Sequence, residues 1–199
     1  MRLLRPRFAA PLGFIAALLA FLPCLANGFV AYDDLGYVVD NPVVRAGLSL
    51  ELVRYAFTTF AQDNWHPLTW LSLGLDATLF GAGPAGFHAT NVVLHALNAA
   101  LVVVVVAKLT GDDVVALAAA ALFALHPLRV ESVAWIAERK DVLCAAFFLV
   151  TLLAWLNDRK LLAFLALALG LLAKPMLVTA PFVLVVVDWA WQRRPARAA

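Results

Sequence analysis

Two carboxylates stand side by side at Asp33 and Asp34, just past the first long apolar run. Adjacent carboxylates repel, and two chemistries reward keeping them together. One is a general base beside a substrate hydroxyl, where an acid–base pair with separated pKa values is useful. The other is a divalent cation held by oxygen ligands. A solvated helix terminus is the plain alternative. A second concentration of charge lies at His126–Asp141, which carries Arg129, Glu131, Glu138, Arg139, Lys140 and Asp141 between two apolar runs. Arg139 and Lys140 suit a phosphate, the guanidinium as a fork and the ammonium as a point charge. Ion pairing with the acids near the N-terminus would use them equally well. Lys174, before Pro175, either snorkels to lipid headgroups or adds a phosphate contact.

His88, Asn91, His95 and Asn98 follow at spacings of three, four and three. On a helix they share one face. Such a stripe in an apolar helix must meet protein or a wet cavity, as inter-helix glue or as cavity lining. Two histidines two turns apart make a poor metal pair.

These groups need a scaffold, and composition names its solvent. Of 199 residues, 64% are hydrophobic and 14% charged. Ordinary soluble domains are about 45–50% apolar and about 25% charged. A soluble fold of this size cannot enclose so much apolar surface, so lipid is the solvent. A formal net charge of +2 gives no ground for nucleic acid binding. Cys24 and Cys144 sit in apolar runs and read as packing residues rather than a disulfide.

A bilayer core of about 30 Å takes about 20 apolar residues in helix. Six runs approach this, at 8–29, 87–109, 114–125, 142–156, 161–173 and 176–191. Backbone groups in lipid must bond within their own segment, and no alternating strands appear, so the expected fold is all-α. It is a polytopic transmembrane bundle of about six spans, forming one domain over 1–199. The first run also resembles a signal peptide, though it is long for one.

With the N-terminus inside, inner segments carry nine Lys and Arg residues and the much longer outer segments six. The positive-inside rule then predicts both termini cytoplasmic. Trp155, Trp189 and Trp191 fall at inner span ends, and Trp65, Trp70 and Trp135 in outer segments. The inner loops, 110–113 and 157–160, are tiny, whereas the first outer loop covers 31–86. Chemistry is therefore expected on the outer face.

Within that loop Ser49 is a plausible N-cap, followed by an apolar stripe of Leu50, Val53, Phe57 and Phe60. Leu68, Leu71, Leu75 and Leu79 form another, with Thr69 and Asp76 off it. Both read as amphipathic helices lying on the membrane surface. Pro67 makes a shaped corner between them. A helical 126–141 would gather Glu131, Glu138 and Asp141 on one side.

Several phrases together resemble a known family: Tyr32-Asp33-Asp34, Asn64-Trp65-His66-Pro67-Leu68-Thr69-Trp70, Phe87-His88 with Asn91 and His95, His126-Pro127-Leu128 with Glu131, Glu138-Arg139-Lys140-Asp141, and Lys174-Pro175-Met176. They are similar to bacterial relatives of the transmembrane and tetratricopeptide-repeat O-mannosyltransferases, cousins of the protein O-mannosyltransferases. The resemblance covers nearly the whole chain. It implies a polytopic helical fold with its site on the non-cytoplasmic face, and the Ala- and Val-rich composition suits a bacterial inner membrane. The resemblance also implies a polyprenyl-phosphate sugar donor, a protein or other hydroxyl acceptor, and inverting displacement. Asp33 and Asp34 take the catalytic place. His66, His88, His126, Glu131, Glu138, Arg139, Lys140 and Lys174 take substrate-binding places. No cofactor is certain and no metal ligand is named, a divalent metal staying open. Family members usually continue into further spans and repeats, whereas this chain stops after its sixth run. A non-catalytic membrane scaffold is therefore the alternative, with a transporter third.

Overall fold

The computed structural model describes the backbone of residues 6–192 and the side chains of residues 9–190. Arg2, Arg5, Arg193, Arg194 and Arg197 lie outside the described residues, as do the side chains of Arg7 and Trp191, so the inner-face charges expected there are not part of the description. Every regular element among the described residues is helical. The chain runs through α1 (Pro6–Phe21), α2 (Pro42–Arg45), α3 (Leu50–Thr58), α4 (Pro67–Phe80), α5 (Pro84–Thr110), α6 (Asp113–Leu125), α7 (Arg129–Ala134), α8 (Arg139–Leu156), α9 (Lys160–Ala173) and α10 (Ala180–Gln192).

Local signals explain most boundaries. Pro67 and Pro84 open α4 and α5, where a missing N–H costs nothing. Ser49 accepts from Leu52 N at 3.1 Å and caps α3. Gly111 ends α5 in the left-handed region at φ 71°. Asp112 then caps α6 through Val114 N (2.8 Å) and Val115 N (3.2 Å), which makes the α5–α6 loop tight. The last apolar run is not one helix: a 3₁₀ turn at Pro175–Thr179 precedes α10.

α5 is the hub, packed against α1, α4, α6 and α8. Its seam with α1 and α6 is built from Ala9, Ala17, Ala96, Ala99, Ala116, Ala120 and Ala124, small side chains that let backbones approach. The polar stripe of α5 is buried throughout and ties four neighbours. His88 Nε2 meets Gly28 O at 3.3 Å. Asn91 Nδ2 donates to Trp135 O at 2.8 Å, His95 Nε2 to Ala124 O at 3.0 Å, and Asn98 Nδ2 to Val142 O at 2.8 Å.

Among the described residues two stretches are long and apolar enough to cross a membrane, Ala9–Ala26 and Pro84–Thr110. Asp113–Leu125, Lys160–Ala173 and Pro175–Ala190 are apolar but shorter. The outer surface of the bundle is apolar at Leu161, Phe164, Leu165, Phe182, Val185 and Val186, which suits lipid and not water.

α3 and α4 both form as helices, with their apolar stripes turned outward. α3 buries Leu52 and Ala56 and leaves Leu50, Val53, Phe57 and Phe60 outward. α4 buries Trp70, Leu73, Thr69 and Asp76, so the polar residues off its leucine stripe form the inner face. The charged segment also differs. α7 stops at Ala134, and α8 starts at Arg139, so 126–141 is not a continuous helix. Glu131 stays exposed, apart from Glu138 and Asp141.

Candidate active site

Asp34 is fully buried, and each oxygen of its carboxylate takes a backbone amide. Val30 N donates at 2.9 Å and Ala137 N, from across the chain, at 2.8 Å. This second bond joins the stretch just after α1 to the segment that presents Glu138, Arg139 and Lys140. Asp33 is half-buried, and its carboxylate takes no hydrogen bond among the described residues. Tyr37, one helical turn on, lies under the cluster with Lys140 Nζ 4.9 Å from its ring centroid. Burial, then the charges of Glu138 and Asp33, push its hydroxyl above the usual phenol range. Both carboxylates therefore act on one phenol.

Lys140 donates to Ala137 O at 3.1 Å and pairs with Glu138 Oε1 at 2.7 Å. Glu138 Oε2 lies 3.9 Å from Lys174 Nζ, which is paired more closely with Asp141. Ser132 Oγ donates to the other oxygen of Asp141 at 3.1 Å. Burial pushes the Glu138 carboxyl up, opposed by Lys140. The side chains of Lys174 and Asp141 keep 25% and 26% of their surface, so the network is most open at that end.

His66 packs against both Tyr37 (5.5 Å) and Trp70 (5.1 Å), which also stack on each other at 4.8 Å, and it carries an unpartnered Nε2. Burial, and then Lys140 and Lys174, lower its pKa to about 4. The imidazole is neutral at pH 7. The unfolded chain protonates His66 near 6.5, above the folded value, so between the two the unfolded state binds more protons. Stability should thus fall as pH drops from about 6.5 toward about 4. His66→Phe, which keeps the stack, should flatten that slope in thermal unfolding of the micelle-bound chain.

Arg139 takes a different place from the one its charge suggests. It is fully buried, with its donors committed to protein. Nη2 binds Asp76 Oδ2 at 2.5 Å and Phe87 O at 2.8 Å, Nη1 binds Ser72 Oγ at 2.8 Å, and Nε binds Asn91 Oδ1. Thr90 Oγ1 donates to Asp76 Oδ1 at 2.8 Å. Burial pushes the Asp76 carboxyl up, against the pull of Arg139. The guanidinium keeps its proton, as in proteins generally. Arg139 is thus a clasp between α4, α5 and α8, with no surface left for a phosphate.

The structure therefore brings Asp33, Asp34, His66, Glu138, Lys140 and Lys174 into one neighbourhood. His88 is buried against Gly28 instead. His126 and Glu131 are exposed, and His126 Nδ1 only accepts from Leu128 N at 3.2 Å. Among the described residues no three His, Cys, Asp or Glu side chains gather as a metal site would need. Sequence reasoning missed Tyr37, although its spacing from Asp33 puts both on one helical face. It also missed Asp76, whose signal was a lone acid in an otherwise apolar helix.

The chain is similar to several known proteins. It is 37% identical to protein O-mannosyl-transferase TMTC1 of Mus musculus, over 76% of this chain and 18% of that protein. It is 35% identical to TMTC1 of Homo sapiens over 73% and 18%, and 32% identical to Tmtc2 of Drosophila melanogaster over 86% and 20%. The chain thus spans about a fifth of the length of these curated relatives. No family model matches it, and no solved structure does. Similarity at this level over most of the chain means that it belongs to the protein O-mannosyl-transferase family.

Proposed function

We propose that the chain carries the reaction centre of a membrane glycosyltransferase. It moves a sugar, mannose by the relatives' names, from a polyprenyl-phosphate donor to a protein hydroxyl on the non-cytoplasmic face. In this reading the chain crosses a bacterial inner membrane about six times with both termini cytoplasmic, the charge asymmetry being the support. The acceptor oxygen attacks the anomeric carbon from the face opposite the phosphate. Its proton passes to Asp33, the C–O bond to the phosphate breaks, and the electron pair leaves with the phosphate. Lys174 and Lys140 then exchange their carboxylate partners for the phosphate as its charge develops.

The observation that carries this reading is the 2.8 Å bond from Ala137 N to Asp34, which places the acid pair beside the lysine cluster. The test is transfer of radiolabelled mannose from polyprenyl phosphate to an acceptor protein by the purified chain. Lys174→Met should lower kcat by about 10²–10³ if its ammonium stabilises the leaving phosphate. A wild-type chain that transfers nothing above a protein-free blank leaves the scaffold reading.

A further inference from the structure

A small cleft between α5, α6, α7 and α8 is not used by the proposed reaction. It encloses about 20 Å³ and is lined by His95, Asn98, Phe123, Arg129, Ser132 and Asp141 among others. Its walls are rich in acceptors. Asn98 is fully buried, and with Nδ2 spent on Val142 O its Oδ1 has no partner. His95 gives its Nε2 proton to Ala124 O, which leaves Nδ1 an acceptor. Asp141 adds a carboxylate. The donors are fewer: Ser132 already donates to Asp141, and Arg129 lies with its guanidinium 5.1 Å from the Phe123 ring centroid.

A buried acceptor without a donor costs about 1–3 kcal/mol, and a cavity needs only about 10–15 Å³ to hold one water. The geometry points to a resident water in this cleft. It donates one hydrogen to Asn98 Oδ1 and the other to Asp141 or His95 Nδ1, and accepts from Arg129. A phosphate or a sugar ring is too large for the space, and Arg129 disfavours a cation. The water thereby links the apolar depth of α5 to the carboxylate that holds Lys174. Asn98 becomes a positioning residue acting through Asp141.

X-ray hydroxyl-radical labelling of the full chain in nanodiscs tests this, because radicals formed on a resident water mark the side chains around it, the half-buried Phe123 of the cleft wall among them. Phe123 should be labelled in the wild-type chain. The label should be lost in Asn98→Leu, which removes the orphan acceptor. Should that variant misfold, Ala145→Leu fills the cleft from another wall and should give the same loss. An unlabelled Phe123 in the wild type, or labelling unchanged in a folded variant, would mean a dry cleft and overturn the proposal. The labelling needs no sugar transfer, so it succeeds or fails independently of the proposed reaction.

Discussion

Replacing Arg139 with Met should cost about 3–5 kcal/mol, the largest stability loss expected from any single charged residue here. Its guanidinium is fully buried and serves four acceptors on α4 and α5. Removing it strands Asp76 as an uncompensated buried carboxyl, and orphans Phe87 O and Asn91 Oδ1. Arg139→Lys should recover little, because an ammonium cannot imitate a planar fork reaching several fixed partners. The double variant Arg139→Met with Asp76→Leu should be more stable than Arg139→Met alone, since no unpaired charge remains. Denaturant unfolding of the purified chain measures all three. If Arg139→Met unfolds at the wild-type midpoint, the buried clasp is not what holds α4 to α5 and α8. The same loss should spread to the acid pair, because Ala137 N, two residues before Arg139, is a partner of Asp34.

The second large effect separates Asp33 from Asp34. Asp34 spends both oxygens on backbone amides, so it is a tie between two stretches of chain. Asp33 is half-buried, its carboxylate takes no hydrogen bond among the described residues, and its charge acts on the same phenol as that of Glu138. Asp33→Asn should leave the unfolding midpoint in place and lower transfer about 10²–10⁴-fold, the worth of a general base. Asp34→Asn keeps an oxygen for one amide and turns an NH₂ toward the other. It should lower stability by about 1–3 kcal/mol and lower transfer with it. The pair of midpoints and rates decides the matter. Equal rate losses, with equal stability losses, would mean that the two acids do not divide their labour as the geometry indicates.

Much of the scaffold was legible in the residues alone, for physical reasons that act locally. Composition demanded lipid, and the requirement that backbone groups bond within their own segment demanded helices. Ser49, Pro67, Gly111 and Asp112 act within a turn of where they stand, so they marked α3, α4 and the loop before α6. The stripe on α5 had to meet partners, because unpaired polar atoms in an apolar setting are costly. The choice between glue and cavity lining was open. The structure shows hydrogen bonds to four separate stretches of backbone, and a small cleft beside Asn98.

What depended on distant partners could not be seen. Arg139 and Lys140 are neighbours in the chain with the same formal charge, yet they point into different environments. One is enclosed by Asp76, Ser72 and Asn91, and the other sits over Tyr37 beside Glu138. A helix turns about 100° per residue, so adjacent side chains meet unrelated surfaces, and which surfaces those are depends on how α4 and α5 pack. The inner face of α4 follows the same logic. Its leucine stripe turns outward, while Asp76 turns inward to the Arg139 guanidinium and Thr69 to the Ala173 carbonyl, partners far along the chain. Residue types and spacing were enough for an apolar helical chain with acids and cations gathered in two short stretches. Which of those charges face one another, and which are spent inside the bundle, was decided by packing, because Coulomb attraction and desolvation depend on distances that only the folded chain sets.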